Sequence, residues 1–214
     1  MGSIVLRILF IGNSLTAGHN LPAVLEALAR ADTGVRIETR AVVFPDHGLE
    51  EHWHRPEARA AIASRTWDVV VLQQGPSALP ASQRVLRAYT RRFDGEIRKA
   101  GARTALYMVW PSKARSFDFD GVEASYRHAA DDVGGLLLPV GTAWRAAWKR
   151  DPHLALYGSD GFHPSPAGTL LAALVIYQEV TGRSVFSLAS PFSSIDPSIV
   201  KVLQAAAADL HPSP

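Results

Sequence analysis

Ile8-Leu9-Phe10-Ile11-Gly12-Asn13-Ser14-Leu15-Thr16 is the stretch on which the reading of this chain turns. A short, unbroken apolar run stops at a turn of small residues. Strands covered on both faces read as continuous apolar runs, whereas a strand with one wet face alternates. Ile4–Ile11 is therefore expected as a buried strand of a parallel sheet, with Ser14 just past its carboxyl end. Arg7 interrupts the run and no small-residue cleavage site follows, which argues against a secretory signal.

Outward from this strand, apolar runs alternate with helical periodicity. Further strands are expected at Val35–Val43, Trp67–Gln73, Arg103–Trp110 and Leu136–Val140. Leu21, Val24, Leu25 and Leu28 form an i, i+3, i+4, i+7 stripe, and Leu86, Tyr89, Phe93 and Ile97 form another on a long helix ending near Gly101. Helices are also expected around Ala143–Lys149, from Pro164 as first helical residue to Thr181, and from the Asp196-Pro197 cap onward. Strand–helix alternation implies an α/β fold, a three-layer α/β/α sandwich with about five parallel strands and flavodoxin-like topology. One domain over residues 1–214 is the simplest organisation, since no repeat, low-complexity block or linker interrupts the pattern.

Composition narrows the function classes. Lys and Arg exceed Asp and Glu by 22 to 20, and no dense basic tract is present, so no nucleic-acid partner is expected. No run approaches the roughly 20 apolar residues of a membrane span. The chain has no cysteine, which removes disulfide and thiolate chemistry but does not choose a compartment. The compartment stays open: cytoplasmic as the chain stands, or exported if a native signal once stood in place of Met1-Gly2-Ser3. Oligomeric state is not legible.

Functional groups in open α/β sheets gather at the carboxyl ends of the strands. Ser14 follows the first strand, His47 and Gly48 the second, Gln73–Ser77 the third and Trp110–Lys113 the fourth. Asp160-Gly161-Phe162-His163 follows the fifth strand and its helix, so it can return to the same edge. A strand-end serine, a histidine and a carboxylate are the parts of a hydroxyl nucleophile with its base and orienting group. Two commoner explanations of Ser14 fail on spacing. The nucleophile elbow needs Gly-x-Ser-x-Gly, and Thr16 stands at its last position. A P-loop would need Gly-Lys where Ala17-Gly18 stand.

Gly12-Asn13-Ser14-Leu15 and Asp160-Gly161-Phe162-His163 together resemble the first and last blocks of the SGNH, or GDSL-like, hydrolases. The resemblance implies Ser14 as nucleophile, His163 as general base and then acid, and Asp160 as the group orienting the imidazole. It further implies an oxyanion hole built from the Ser14 and Gly48 backbone N–H groups and a side-chain amide. The family's usual Gly-x-Asn-Asp block is absent; Gln73-Gln74-Gly75-Pro76-Ser77 stands in its place and is similar to the Gln-Gly-x-Ser of some carbohydrate-esterase branches. A glutamine amide offers the same donor on a longer stem, so Gln74 is the expected replacement, with Gln73 and Ser77 as rivals.

The activity so implied is hydrolysis of a small acyl ester, acetyl before others, on a carbohydrate or other small molecule, with no metal and no cofactor. The alternatives are a lysophospholipase or thioesterase, with Phe117, Phe119 and Trp53 supplying an apolar channel, and a catalytically silent carbohydrate-binding module. His47, His52 and His54 lack the spacing of a zinc motif. Trp53 and His54 are expected to line or support the pocket rim, and Ser112–Phe119 is expected as a long loop, either a cleft wall that brings Lys113 or Arg115 to a polar substrate or a plain surface loop. Arg84, Arg87, Arg91, Arg92 and Arg98 are expected on the solvated face of their helix.

Overall fold

The computed structural model describes residues 4–210. Five parallel strands, β1 Ile4–Gly12, β2 Val35–Val43, β3 Val69–Leu72, β4 Arg103–Tyr107 and β5 Leu136–Leu138, form one sheet in the order β2-β1-β3-β4-β5. Burial follows position in that order. Ile8–Ile11 of the inner strand β1 and Val70–Leu72 of the central β3 are fully enclosed, while the edge strand β2 alternates between buried and exposed residues. An inner parallel strand has helices over both faces, and an edge strand has one flank open to water.

The chain leaves β1 for β2 on one side and returns to β3 on the other, so the topological switch point lies at the carboxyl ends of β1 and β3. Both places supply residues to the candidate site. The helices fall into two groups. α2 Leu21–Ala29, α7 Val140–Arg150, α8 Pro166–Thr181 and α9 Pro197–Ala208 pack with one another, as do α3 Leu49–His54, α4 Pro56–Ala63, α5 Pro80–Lys99 and α6 Phe119–Asp131. A one-turn helix, α1 Ser14–Ala17, follows β1 directly. α8 has no wet face through most of its length, with every residue from Gly168 to Tyr177 buried. None of the described helices is long and apolar enough to cross a membrane.

β2 has the expected bounds and β1 runs one residue further, to Gly12, while β3, β4 and β5 are shorter than the expected runs. Pro139 closes β5 and leads into α7, and beyond Tyr107 the chain stays buried but leaves the ladder. Pro164 is not the first residue of α8. It pairs in an isolated bridge with Tyr157, and Ser165 caps the helix by accepting from Gly168 N at 3.1 Å, with Pro166 as first helical residue. Two prolines flank a good cap residue, and the bridge decides between them. The stretch at Lys113–Asp118, expected as a loop, is a short 3₁₀ segment that runs into α6.

The start of α8 fits against α7 and the Leu156 backbone because Gly168 carries no side chain. A Cβ there would collide with Leu156 O and stand 2.7 Å from the Trp144 ring. Gly168→Ala is expected to destabilise the fold by about 1–3 kcal/mol through overpacking. At roughly 2–4 °C per kcal/mol for a chain of this size, calorimetry should read a loss of several degrees in Tm. An unchanged Tm would contradict this packing.

Candidate active site

The turn carrying Ser14 is built from buried polar groups. Asn13 caps α1, its Oδ1 accepting from Leu15 N at 3.1 Å, while its Nδ2 donates to His47 O at 3.0 Å. The Gln73 carboxamide lies beneath. Its Oε1 accepts from Asn13 N at 2.8 Å and from Thr16 Oγ1 at 2.9 Å, and its Nε2 donates to Gln74 O at 2.7 Å. Gly12 makes room for it, since a Cβ there would lie 2.5 Å from Gln73 Oε1. His52 Nε2 donates to Gly12 O at 2.8 Å from a fully enclosed position, and burial holds its pKa below the usual imidazole range.

Asp160 and His163 arrive on a loop fixed by its backbone. Gly158 N donates to His163 O at 2.7 Å, Lys113 N to Gly161 O at 2.8 Å, and Trp110 Nε1 to Phe162 O at 2.9 Å. Gly161 has φ +69°, a left-handed conformation that suits glycine. Asp160 Oδ1 accepts from the N–H groups of Phe162 and His163 at 2.9 and 3.0 Å. Its Oδ2 lies 2.5 Å from His163 Nδ1, and His163 Nε2 lies 2.9 Å from Ser14 Oγ. With Nδ1–H given to the carboxylate, Nε2 carries the lone pair that faces the serine hydroxyl. The hydrogen bond from the His163 ring, followed by those from the two backbone N–H groups, pushes the Asp160 carboxyl down to about 2.

Ser14 opens on a cleft of about 530 Å³. Asn13, Gly48, Gln74 and Ser77 line it together with Asp46, Glu50 and Glu51; its apolar lining is limited to Pro76, Val85 and Phe162. Asp46 and Ser77 both hold φ of 59°, unusual for residues with side chains and found here at the wall of one cavity.

The structure therefore brings Ser14, Asp160, His163, Gly48, Gln74 and Ser77 to one place. Gln73 is apart from them, fully enclosed behind the serine turn. Gln74 faces the cleft, but its amide already has partners: Nε2 donates to Ser77 Oγ at 2.9 Å and Ser82 O at 3.3 Å. Trp53 and His54 are not among the lining residues; Trp53 packs edge-on to Phe93, and His54 Nε2 meets the Tyr89 hydroxyl at 3.2 Å. Arg115 pairs with Asp118, and Lys113 lines a separate cavity behind the Asp160 loop. Arg87 and Arg91 share Asp132 of the neighbouring helix end. The supporting roles of Gln73, Trp110 and His52 were missed from sequence; two polar residues directly after an all-apolar strand were the available signal for the first.

Neither a protein-family model nor a curated protein sequence matches the chain. Solved structures do. A candidate SGNH hydrolase from Slackia heliotrinireducens is 30% identical over 82% of this chain and 99% of that one, with a TM-score of 0.68. The chain belongs to the SGNH hydrolase family. A DUF4886 family protein from Bacteroides uniformis shares the fold at TM-score 0.82 and 21% identity, covering 97% of this chain and 96% of its own. So does a catalytic mutant of Axe2, an acetylxylan esterase from Geobacillus stearothermophilus, at TM-score 0.61 and 16% identity over 85% of this chain and 97% of that one.

Gln73→Leu should destabilise the protein by about 2–4 kcal/mol in urea unfolding, because Asn13 N–H and the Thr16 hydroxyl lose their buried acceptor. Asp160 should titrate near pH 2 by carboxyl NMR. Its folded pKa is depressed, so its contribution to stability is present above the unfolded value of about 4 and is lost as pH falls through 2. A carboxyl titrating at 4 would mean that the pair with His163 is absent in solution.

Proposed function

We propose that this protein is a serine esterase that removes a small acyl group, acetyl before others, from a carbohydrate or similarly polar alcohol. The observation that carries the reading is the hydrogen-bonded chain from Ser14 Oγ through His163 to Asp160 at the switch point of the sheet. In this reading His163 Nε2 takes the Ser14 proton as Oγ attacks the ester carbonyl. Asp160 stabilises the imidazolium so formed and keeps the ring in register. The tetrahedral oxyanion lies against the N–H groups of Ser14 and Gly48 and the Gln74 amide. His163 then protonates the leaving alcohol, and water attacks the acyl-enzyme with His163 again as base.

The substrate class is supported by the lining. Eight of its fourteen lining residues carry a carboxylate, an amide or a hydroxyl. Phe117 is 75% exposed and Phe119 is buried in the core, so neither they nor Trp53 forms an acyl channel. A long-chain lipase or thioesterase is correspondingly less well supported. The likeness to Axe2 in fold is in keeping with an acetylated sugar, and the intact hydrogen-bonded chain argues against a silent binding module.

A series of p-nitrophenyl esters run on wild type and Ser14→Ala tests this directly. Hydrolysis should favour acetate and vanish in the variant, and Asp160→Asn should lower kcat by about 10²–10⁴-fold. Unchanged turnover in Ser14→Ala would overturn the serine mechanism, and preference for long chains would overturn the acyl assignment.

A further inference from the structure

The Gly48 N–H, an oxyanion donor in the reading above, already has an occupant. Glu51 Oε2 accepts from it at 2.8 Å, the third residue of α3 reaching back to the N–H that precedes the helix. A glutamate at the third helical position often reaches back in this way. This one differs in that the capped N–H and the capping carboxylate both border the cleft that holds Ser14. Asp46 and Glu50 border it too, and no lysine or arginine among the described residues does. Glu50 is tied down by the Tyr89 hydroxyl, which donates to its Oε1 at 2.8 Å. Glu51 is exposed and free to turn on its stem.

We propose that Glu51 determines the charge preference of the cleft. When the substrate carbonyl takes the Gly48 N–H, the displaced carboxylate turns to a donor on the leaving group, a sugar hydroxyl or an ammonium. One hydrogen bond is exchanged for another. An anionic leaving group offers no donor and meets the carboxylate as a like charge, with Asp46 and Glu50 beside it. A cleft lined by one sign of charge disfavours that sign throughout its volume. The preferred substrates are therefore neutral polyol or cationic esters, and anionic esters are poor ones. The inference rests on the serine-esterase reading.

Three phenyl acetates of similar shape test it, bearing a meta trimethylammonium, tert-butyl or sulfonate group. Their intrinsic reactivities differ, so the quantity read is the change in each kcat/KM between wild type and Glu51→Gln. Relative to the tert-butyl ester, the cationic ester should fall by about 3- to 10-fold in the variant and the anionic ester should rise by a similar factor. Glu51→Asp, which keeps the charge, should keep the wild-type order. The wild-type preference should also narrow as salt rises from about 0.02 to about 0.5 M, a readout that needs no variant.

Ratios that are the same in Glu51→Gln, or a wild-type preference indifferent to salt, would overturn the proposal and leave Glu51 as a helix cap, visible only in Tm. Ser14→Ala separates this from the parent reading. If it abolishes hydrolysis while the ratios do not move with Glu51, only the charge inference fails. If it leaves hydrolysis intact, or the wild type hydrolyses none of the three, both fail.

Discussion

One buried carboxamide holds the serine in place. Gln73 sits where β1 and β3 end, and its Oε1 gathers the Asn13 N–H and the Thr16 hydroxyl while its Nε2 ties back to Gln74 O. In a fully enclosed position an unpaired amide would cost about 1–3 kcal/mol per group, so these bonds fix one arrangement of the turn. The arrangement also explains Gly12, whose missing side chain is the space the amide fills. A strand end, the Ser14 turn and the start of the cleft wall are thus one hydrogen-bonded unit.

The opposite half of the site is organised differently. The side chains of His163 and Asp160 are 44% and 50% exposed, so burial does not hold them. Backbone contacts do: the Trp110 indole N–H, the Lys113 N–H and the Gly158 N–H each fix one carbonyl of the loop. Trp110 is itself enclosed and stacked on Trp144 with ring centroids 3.7 Å apart. The exposed pair is thereby referenced to the core through an enclosed, stacked indole. A rigid serine and a well-anchored loop meet across a 2.9 Å gap.

Much of this was legible in the sequence, for definite reasons. A buried parallel strand is written as an uninterrupted apolar run, so all five strands were visible, and the serine after the first and the Asp-x-x-His after the last stood out. Some of the helices were not. α3 has only Leu49 and His52 buried in six residues, too few to show a period. α6 hid behind the polar Lys113–Asp118 stretch, though Val122, Tyr126 and Ala129 carry its stripe. Two adjacent glutamines point opposite ways from an extended chain, and which one meets the cleft depends on the register of β3 against β1. That register is a tertiary fact.

The donors around Ser14 show how a polar cleft can be both stable and receptive. Gly48 N–H rests on Glu51, and the Gln74 amide rests on Ser77 and Ser82. Donors left bare in a partly enclosed cleft would draw in water or collapse onto other acceptors. Held by neighbouring side chains, they keep their positions, and the proposed reaction asks only for an exchange of partners when a substrate enters. Preorganised donors contribute most when little must be rearranged in the transition state. Replacing a mobile side-chain acceptor is a small rearrangement, whereas moving backbone would be a large one. The site's fixed parts are therefore its backbone and the buried Gln73, and its movable parts are exposed or hydroxyl-bearing side chains at the rim.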